Sequence, residues 1–295
     1  MAAVAAESPD IAKKAVNLIK VEYEALPVIT DVEEAIKPEA WPIHEGGNIV
    51  GTSRAEAGNV DEAFQECDYV FEDRYTTQAI HHAAIEPHVA IADFAPNGKL
   101  TVYSPCQNTF AFRVIMSRIF GLSYNRIRMV APAIGGAFGG KLEVTVEPVA
   151  AVLSQMTGKP VKVEYNRKES ILSTRVRHAS VNYVKTGFMK DGTLKAVDFK
   201  VYTNTGAYAS SALNVSGAMS HKVFKAYKID HMRFQCQPVY TNTEIAGAMR
   251  GYGSPQVYFG WQRQMQKIAD FLHMDMADLQ MKNMVDPDSC DPIFH

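Results

Sequence analysis

The chain has 295 residues, enough for about two domains. Hydrophobic residues make up 47% of it, which allows a sizeable core and excludes a disordered chain. The net charge of −2 argues against a nucleic-acid-binding protein, because binding to a phosphate backbone needs clustered positive charge. No run of about 18 apolar residues is present, so we expect no transmembrane helix and no membrane partner.

The cysteine spacing and the first residues bear on metal sites and on the cellular compartment. No CxxC pair is present, so neither a structural zinc site nor a cysteine-held iron–sulfur cluster is expected in this chain. Residues 1–4 lack the basic region and apolar stretch of a secretion signal. Scattered thiols are typical of a reducing environment, and we predict a cytoplasmic protein. The cysteines are Cys67, Cys106, Cys236 and Cys290.

The first 58 residues predict a small unit and a linker. Residues 2–8 are expected to form a strand, and Ser8 and Pro9 to start a helix as its cap and first residue. Residues 21–24 would return as a strand. Residues 37–58 are rich in Pro, Gly and Asn and predict a linker. The apolar face of the helix would hold Ile11, Ala15, Val16 and Ile19.

A second, larger unit is predicted after the linker. Lys190 to Gly192 has the composition of a hairpin turn. Ser254 and Pro255 start a long helix, whose apolar stripe would hold Val257, Trp261, Met265, Ile268 and Leu272. The expected strands are 100–104, 127–130, 161–165, 179–188 and 194–203.

Three loops are expected to end at helix starts: residues 105–108, 135–141 and 249–253. Free N–H groups at the positive end of a helix dipole favour an anion, and glycines allow the main chain to approach a ligand closely. Arg250 adds a planar donor fork, and Gln107 can donate and accept. An ordinary tight turn, a surface amide and a surface cation are the alternatives. The helix after the first loop would carry Phe110, Val114, Ile115 and Ile119.

Two local patterns point to other chemistry. Gly135, Gly140 and Lys141 have the spacing of a nucleotide P-loop, but Leu142 lacks the hydroxyl that Mg²⁺ needs there, which argues against nucleotide hydrolysis. Residues 81–88 contain the two-His-one-carboxylate ligand set of a non-haem iron site. The alternative, which we prefer, places hydrogen-bonded residues on a partly buried strand, with His82, Glu86 and His88 on one face.

Four motifs resemble those of the molybdenum-binding subunit of the xanthine dehydrogenase family, the molybdenum hydroxylases. The resemblance covers essentially the whole chain and implies an α+β fold. Residues 1–38 would be the end of an α/β hammerhead domain, 39–57 a linker, and 58–295 the incomplete first half of a molybdopterin-binding domain. The motifs are Ile-Glu-Pro-His at 85–88, Gly-Gly-Ala-Phe-Gly-Gly-Lys at 135–141, Thr-Gly-Ala-Tyr-Ala at 205–209 and Ala-Met-Arg-Gly-Tyr-Gly-Ser-Pro-Gln at 248–256.

The resemblance also implies an activity and a set of site residues. Members of the family hydroxylate heterocycles or aldehydes with oxygen from water, and electrons pass from molybdenum through [2Fe–2S] clusters to FAD. Gln107, Phe138, Gly139 and Arg250 match cofactor-binding positions, and Tyr252 matches an aromatic residue beside the substrate. We therefore expect a molybdopterin-type cofactor in this chain, a small-molecule substrate, and iron–sulfur and FAD partner subunits.

Two departures from the family pattern bear on the substrate. Leu142 stands where xanthine-specific members carry a substrate-binding glutamate, and residues 213–221 contain no match for their substrate-facing arginine. A pocket without these two groups would not hold xanthine in the same way. A purine, another N-heterocycle or an aldehyde is the expected substrate class.

The family's catalytic glutamate, its general base, lies outside this chain, so no catalytic residue and no metal ligand are assigned here. We expect the chain to be a fragment or one part of a split subunit, inactive alone and completed by the missing second half of the cofactor region. The alternative is a non-catalytic binding or assembly module that keeps the fold without a cofactor.

Overall fold

The computed structural model describes residues 2–223 and 225–286, which group into two compact units. The first unit contains residues 2–27 and 81–174, and the second contains the described residues of 28–80, 175–223 and 225–286. The predicted domain limits at residues 38 and 57 do not coincide with these units and stay a prediction. Cys290 lies outside the described residues.

Helices and strands are numbered in chain order across both units. The helices are α1 (Pro9–Val16), α2 (Val32–Ala35), α3 (Val60–Gln65), α4 (Thr109–Phe120), α5 (Glu147–Thr157), α6 (Arg167–Ser173), α7 (Ala212–Val223), α8 (Ser254–Leu272) and α9 (Met276–Asn283). The strands are β1 (Ser53–Ala57), β2 (Tyr69–Thr77), β3 (Ile80–His81), β4 (Val89–Phe94), β5 (Leu100–Tyr103), β6 (Ile127–Val130), β7 (Val161–Glu164), β8 (Val176–Arg177), β9 (Ser180–Phe188), β10 (Leu194–Gly206), β11 (His231–Tyr240) and β12 (Ala246–Gly247).

The first unit is built on a four-stranded sheet in the order β6-β5-β4-β7. Strand β4 runs antiparallel to β5 and β7, and β5 runs parallel to β6. Helix α5 packs on this sheet, where Leu100, Val102 and Ala150 are fully buried. The strands predicted at 100–104, 127–130 and 161–165 are therefore confirmed to within a residue.

Helix α4 forms where it was predicted, but its buried residues are not the apolar residues named from the sequence. Phe112 and Met116 are its buried residues, whereas Phe110 and Ile119 are 77% and 49% exposed. Phe110 and Phe112 differ by about 200° around a helix, so they cannot share a face. Leu100 and Ile127 of the sheet belong to the same core cluster as Met116, and this contact selects the buried face.

Near the N-terminus the helix is confirmed and the strands are not. Ser8 Oγ accepts the N–H of Ile11 at 3.3 Å, and Pro9 starts α1 as predicted. The predicted strands at 2–8 and 21–24 are wrong, because neither segment pairs with another strand within the described residues. The expected apolar face of α1 is not buried, and Ile11 is 54% exposed.

The second unit is built on a five-stranded sheet in the order β1-β11-β10-β9-β2. The predicted hairpin is confirmed as β9 and β10, with Gly192 at φ +86° in its turn. Strand β10 runs parallel to β11, and β1 pairs antiparallel with β11. Since β1 covers residues Ser53–Ala57, the last part of the predicted linker is a sheet strand. Strands β8 and β12 run parallel to each other in a small sheet of their own, in the order β12-β8-β3.

The stripe predicted on α8 forms the core of the second unit. Val257, Trp261, Met265 and Ile268 are all fully buried in one cluster with residues of β9, β10 and β11. A smaller cluster holds Val32 and Ala35 of α2, with Val181, Tyr202 and Val239. Within the described residues, no helix has the length and apolar character needed to cross a membrane.

Candidate functional site

The glycine turn, residues 135–141, has an unusual backbone. Gly136, Phe138 and Gly139 have φ values of +97°, +53° and +104°. The Gly140 N–H donates to the Ala137 carbonyl at 2.8 Å and closes the turn. Within the described part of the chain, the N–H groups of Gly136, Ala137 and Phe138 donate to no protein acceptor. Successive free N–H groups in such a turn form a concave anion-binding surface.

Both ends of the glycine turn are tied to Glu86. Its Oε2 accepts the Gly135 N–H at 3.0 Å and lies 2.5 Å from Lys141 Nζ. The Glu86 N–H in turn donates to the Gly135 carbonyl at 3.1 Å. Burial opposes ionisation of Glu86, but the hydrogen bonds from Lys141 and Gly135 outweigh it and lower the pKa of the carboxyl.

Gln107 is joined to the other side of the same turn. Its Oε1 accepts the N–H groups of Gly139 at 3.0 Å and Lys141 at 3.3 Å. The Gln107 N–H donates to the Lys141 carbonyl at 2.9 Å. Its Nε2 has no acceptor among the described residues and is exposed, so it is available to a ligand. The structure thus brings together three predicted site residues, Gln107, Phe138 and Gly139.

His88 lies between the glycine turn and α6 and contacts both. Its Nε2 lies 3.0 Å from the Gly140 carbonyl, and its Nδ1 lies 3.3 Å from Ser170 Oγ. Burial lowers the pKa of His88, and the two ring nitrogens lie within hydrogen-bonding distance of these two groups. Sequence reasoning did not assign positioning roles to Glu86 and His88. Their Ile-Glu-Pro-His motif was the available signal.

The residues 81–88 do not form one strand. Strand β3 ends at His81 and β4 starts at Val89, so the predicted shared strand face of His82, Glu86 and His88 is wrong. The side chains are hydrogen-bonded, as in the preferred alternative: His81 Nε2 lies 2.9 Å from Thr174 Oγ1. Among residues 2–223 and 225–286, no three His, Cys, Asp or Glu side chains are grouped to hold a metal ion. The geometry gives the iron hypothesis no support.

The three loops differ in their relation to helices. Asn108 caps α4 by accepting the Ala111 N–H at 3.0 Å, and Gly253 directly precedes α8, both as predicted. The glycine turn is not at a helix start, because α5 begins only at Glu147. Its affinity for an anion must therefore come from its own N–H groups. Leu142 follows the turn, is partly exposed and donates its N–H to the Gly139 carbonyl at 3.2 Å.

In the second unit, the arginine loop, residues 249–253, has a similar backbone. Gly251, Tyr252 and Gly253 have φ values of +96°, +45° and +95°. A Cβ added to Gly253 would lie 2.6 Å from Met219 Cγ, so glycine is needed there. Arg250 is exposed and forms no ion pair with any described residue. Tyr252 is partly buried against the core.

Both loops lie in a part of the chain that is similar to known proteins. Residues 43–284 match the profile of the molybdopterin cofactor-binding domain family. The chain belongs to this family. It is 36% identical to the xanthine dehydrogenase molybdenum-binding subunit of Escherichia coli O157:H7, over 96% of this chain and 38% of that protein. It is also 36% identical to the nicotinate dehydrogenase large molybdopterin subunit of Eubacterium barkeri, over 96% of this chain and 67% of that subunit.

Solved structures give the same assignment. The molybdopterin-binding chain matches the aldehyde oxidoreductase from Desulfovibrio gigas with a TM-score of 0.93 and 29% identity, over 97% of this chain and 32% of that chain. It therefore has the mixed α/β fold of these enzymes, and it spans only part of their length. The hammerhead assignment of residues 1–38 stays a prediction.

The glycine turn fits a molybdopterin cofactor, which carries anionic and hydrogen-bonding groups. Three successive N–H groups lack acceptors among the described residues, and Gly136 and Gly139 expose backbone that a Cβ would cover. Gln107 Nε2 adds a neutral donor beside them. In the second unit, Arg250 provides an exposed guanidinium fork with no counter-ion in the described part of the protein.

Proposed function

We propose that this chain is the cofactor-binding part of a molybdenum hydroxylase acting on a purine, another N-heterocycle or an aldehyde. The observation that carries the proposal is the glycine turn, whose free N–H groups are held in place by Glu86, His88 and Gln107. Relatives named for xanthine, nicotinate and aldehyde oxidation support the substrate class.

The proposed site residues bind either the cofactor or the substrate. The N–H groups of Phe138 and Gly136 and the Gln107 amide donate to the cofactor, and the Arg250 fork binds an anionic part of it. Gly139 leaves the backbone uncovered, with its own N–H given to Gln107. When bound, the cofactor supplies the two-electron oxidation that uses oxygen from water. In the second unit, Tyr252 is the proposed contact for the substrate ring. In the first unit, Leu142 is the proposed apolar substrate-binding residue.

The proposed activity belongs to a larger assembly. The chain spans 38% of the Escherichia coli relative, so most of that protein has no counterpart here. We place the catalytic glutamate and the rest of the cofactor region in that remainder, and [2Fe–2S] clusters and FAD on partner subunits or domains. The chain alone is then inactive. Free thiols at Cys67, Cys106 and Cys236 support a cytoplasmic location.

Gln107 provides a test in the assembled protein. Gln107→Glu keeps an oxygen acceptor for Gly139 and Lys141 but removes the amide donor, whereas Gln107→Leu removes both. We expect both variants to lose molybdenum and pterin, measured per chain by metal analysis and by pterin fluorescence after oxidation. Gln155→Glu, at an exposed position of α5, is the matched control. Full loading of Gln107→Glu and Gln107→Leu would contradict the proposed contact.

Arg250 provides a second test. Arg250→Lys keeps the charge and removes the bidentate fork, so we expect lower molybdenum content. Arg54→Lys, at an exposed position of β1, is the control. A wild-type assembly that holds neither molybdenum nor pterin would favour the non-catalytic module instead. Stoichiometric molybdenum in the chain purified alone would show that no further half is needed for binding.

A further inference from the structure

Three consecutive carbonyl groups of the arginine loop are each bound by a cationic side chain. Arg177 Nη2 donates to the Arg250 carbonyl at 2.8 Å. Lys222 Nζ donates to the carbonyls of Gly251 at 2.7 Å and Tyr252 at 2.8 Å. The two cations come from different elements, β8 and α7. The carbonyl side of the loop is thus fixed by charged donors.

Fixing the carbonyls also fixes the N–H groups. In a planar trans peptide, the carbonyl of one residue and the N–H of the next point in opposite directions. The N–H groups of Gly251 and Gly253 therefore point away from Arg177 and Lys222, respectively. Among the described residues, neither N–H has an acceptor. Gly251 is exposed, so its N–H is available on the side opposite Arg177, whereas Gly253 is buried.

The charge on these cations is not neutralised by the described part of the protein. Among the described residues, Arg177, Lys222 and Arg250 form no ion pair. Arg177 is only 8% exposed, and its Nη1 has no hydrogen-bond partner in the described structure. Burial lowers the pKa of both Arg177 and Lys222. A buried cation without a counter-charge is costly, and a bound anion would offset that cost.

Tyr252 adds a conformational reason for the contact. Its φ of +45° is a left-handed conformation that a residue with a Cβ adopts only at a cost in backbone strain. Lys222 holds the Tyr252 carbonyl and lies 5.7 Å from the centre of its ring. Without Lys222, the loop loses two hydrogen bonds that oppose relaxation of this residue, those to the Gly251 and Tyr252 carbonyls.

We propose that Arg177 and Lys222 are positioning residues that hold the arginine loop in its anion-binding conformation, and that the bound anion matches their unneutralised charge. This inference rests on the proposed function, in which that anion is part of the molybdenum cofactor. Arg250 contacts the ligand directly, whereas Arg177 and Lys222 act through the loop backbone.

The test uses the assembled protein, loaded with cofactor in a host that makes it. The variants are Lys222→Met, Lys222→Arg, Arg177→Gln and Arg177→Lys, and the control is Lys225→Met. Lys225 lies three positions from Lys222, is exposed and has no partner among the described residues. The readouts are the rate of pterin release at rising salt, the Mo(V) electron paramagnetic resonance signal, and the melting temperature of the cofactor-free protein.

We expect Lys222→Met and Arg177→Gln to release pterin about tenfold faster than wild type, and the charge-retaining variants to recover part of the loss. A changed Mo(V) signal with an unchanged cofactor-free melting temperature distinguishes positioning from general destabilisation. If Lys222→Met or Arg177→Gln fails to fold, the inference is tested with Lys222→Arg and Arg177→Lys, through their pterin release rates and Mo(V) signals.

Release rates equal to those of Lys225→Met in every folded variant would overturn the inference. In that case, faster release by Arg250→Lys alone would leave the proposed function standing. A wild-type assembly without molybdenum or pterin would overturn the proposed function itself.

Discussion

Lys141 Nζ lies 2.5 Å from Glu86 Oε2, the same oxygen that accepts the Gly135 N–H at 3.0 Å. One carboxylate therefore joins the first and last residues of the glycine turn. Lys141 is only 3% exposed and Glu86 is 32% exposed, so the ion pair is largely shielded from water. Removal of the Glu86 carboxylate would leave the buried Lys141 ammonium group without an ion-pair partner among the described residues.

Glu86→Gln should lower the free energy of unfolding by about 1–3 kcal/mol, because it leaves the charge of Lys141 unneutralised. Urea unfolding of the purified chain measures the effect. The control is Glu164→Gln, which breaks the Lys162–Glu164 pair, where both side chains are 55% exposed. An exposed pair is worth at most about 1 kcal/mol. Equal losses in the two variants would show that the Glu86 pair has no special role.

The Glu86 pair also predicts a pH dependence. The pKa of Glu86 is lowered in the folded protein, so its stabilising contribution is present above its ordinary pKa of 4.5 and disappears as pH falls through the lowered value. The difference in melting temperature between wild type and Glu86→Gln should therefore shrink as pH falls from about 6 to about 3. A constant difference across this range would contradict the assignment.

Gly135 and Gly136 require glycine for different reasons: the first for lack of space and the second for its backbone conformation. A Cβ at Gly135 would lie 2.6 Å from Glu86 Cβ, whereas a Cβ at Gly136 would meet only ordinary contacts but at φ +97°. Gly135→Ala should displace Glu86, and Gly136→Ala should strain the backbone by about 1 kcal/mol or more. Each variant is then combined with Glu86→Gln in a double-mutant cycle. The changes in unfolding free energy should be clearly non-additive for Gly135→Ala and closer to additive for Gly136→Ala. Equal coupling would refute the distinction.

His178 should make stability fall in mild acid. Burial and the nearby charge of Arg177 lower the pKa of His178 from 6.5 to about 4. Between these values the unfolded chain binds a proton that the folded chain does not, so stability is lost as pH falls, by up to about 3 kcal/mol. His178→Gln should flatten the slope of unfolding free energy against pH. His273→Asn, at an exposed position, should not.

Leu142 should limit activity on xanthine in the assembled enzyme. It provides no carboxylate for a purine, and a site without that hydrogen bond discriminates against ligands that need it. Leu142→Glu should raise kcat/KM for xanthine by about tenfold relative to an N-heterocycle such as nicotinate. Leu142→Gln serves as the uncharged control. Efficient xanthine turnover by the wild-type assembly would show that the substrate prediction is wrong.

Elements with strong local signals were predictable from sequence. Ser8 and Pro9, the Lys190–Gly192 turn and the α8 stripe each depend on nearby residues, and all three are confirmed. The strand predicted at 21–24 failed because pairing requires a second strand, and Tyr23 is 84% exposed. A short segment with alternating apolar and charged residues, such as 21–24, carries no information about its partner strand.

The site was predictable only in part, for a similar reason. Gln107 was singled out on its loop, and the roles of Phe138 and Gly139 came from the family resemblance; the structure joins Gln107 to the glycine turn through the Gly139 N–H. Glu86 was considered as a metal ligand, and its bond to Gly135, 49 positions away, has no local signature. Long-range tertiary contacts of this kind are not encoded in spacing or periodicity.

The pairing of β1 with β11 sets an order of events during synthesis. Ser53 pairs with Cys236, which lies 183 positions later in the chain. At roughly 5–20 residues per second, a ribosome needs about 10–40 s to make the intervening segment. During that time β1 has no partner, and its unpaired backbone groups are open to association with other chains. Efficient folding in the cell should therefore depend on chaperones that bind the growing chain before residue 240 emerges.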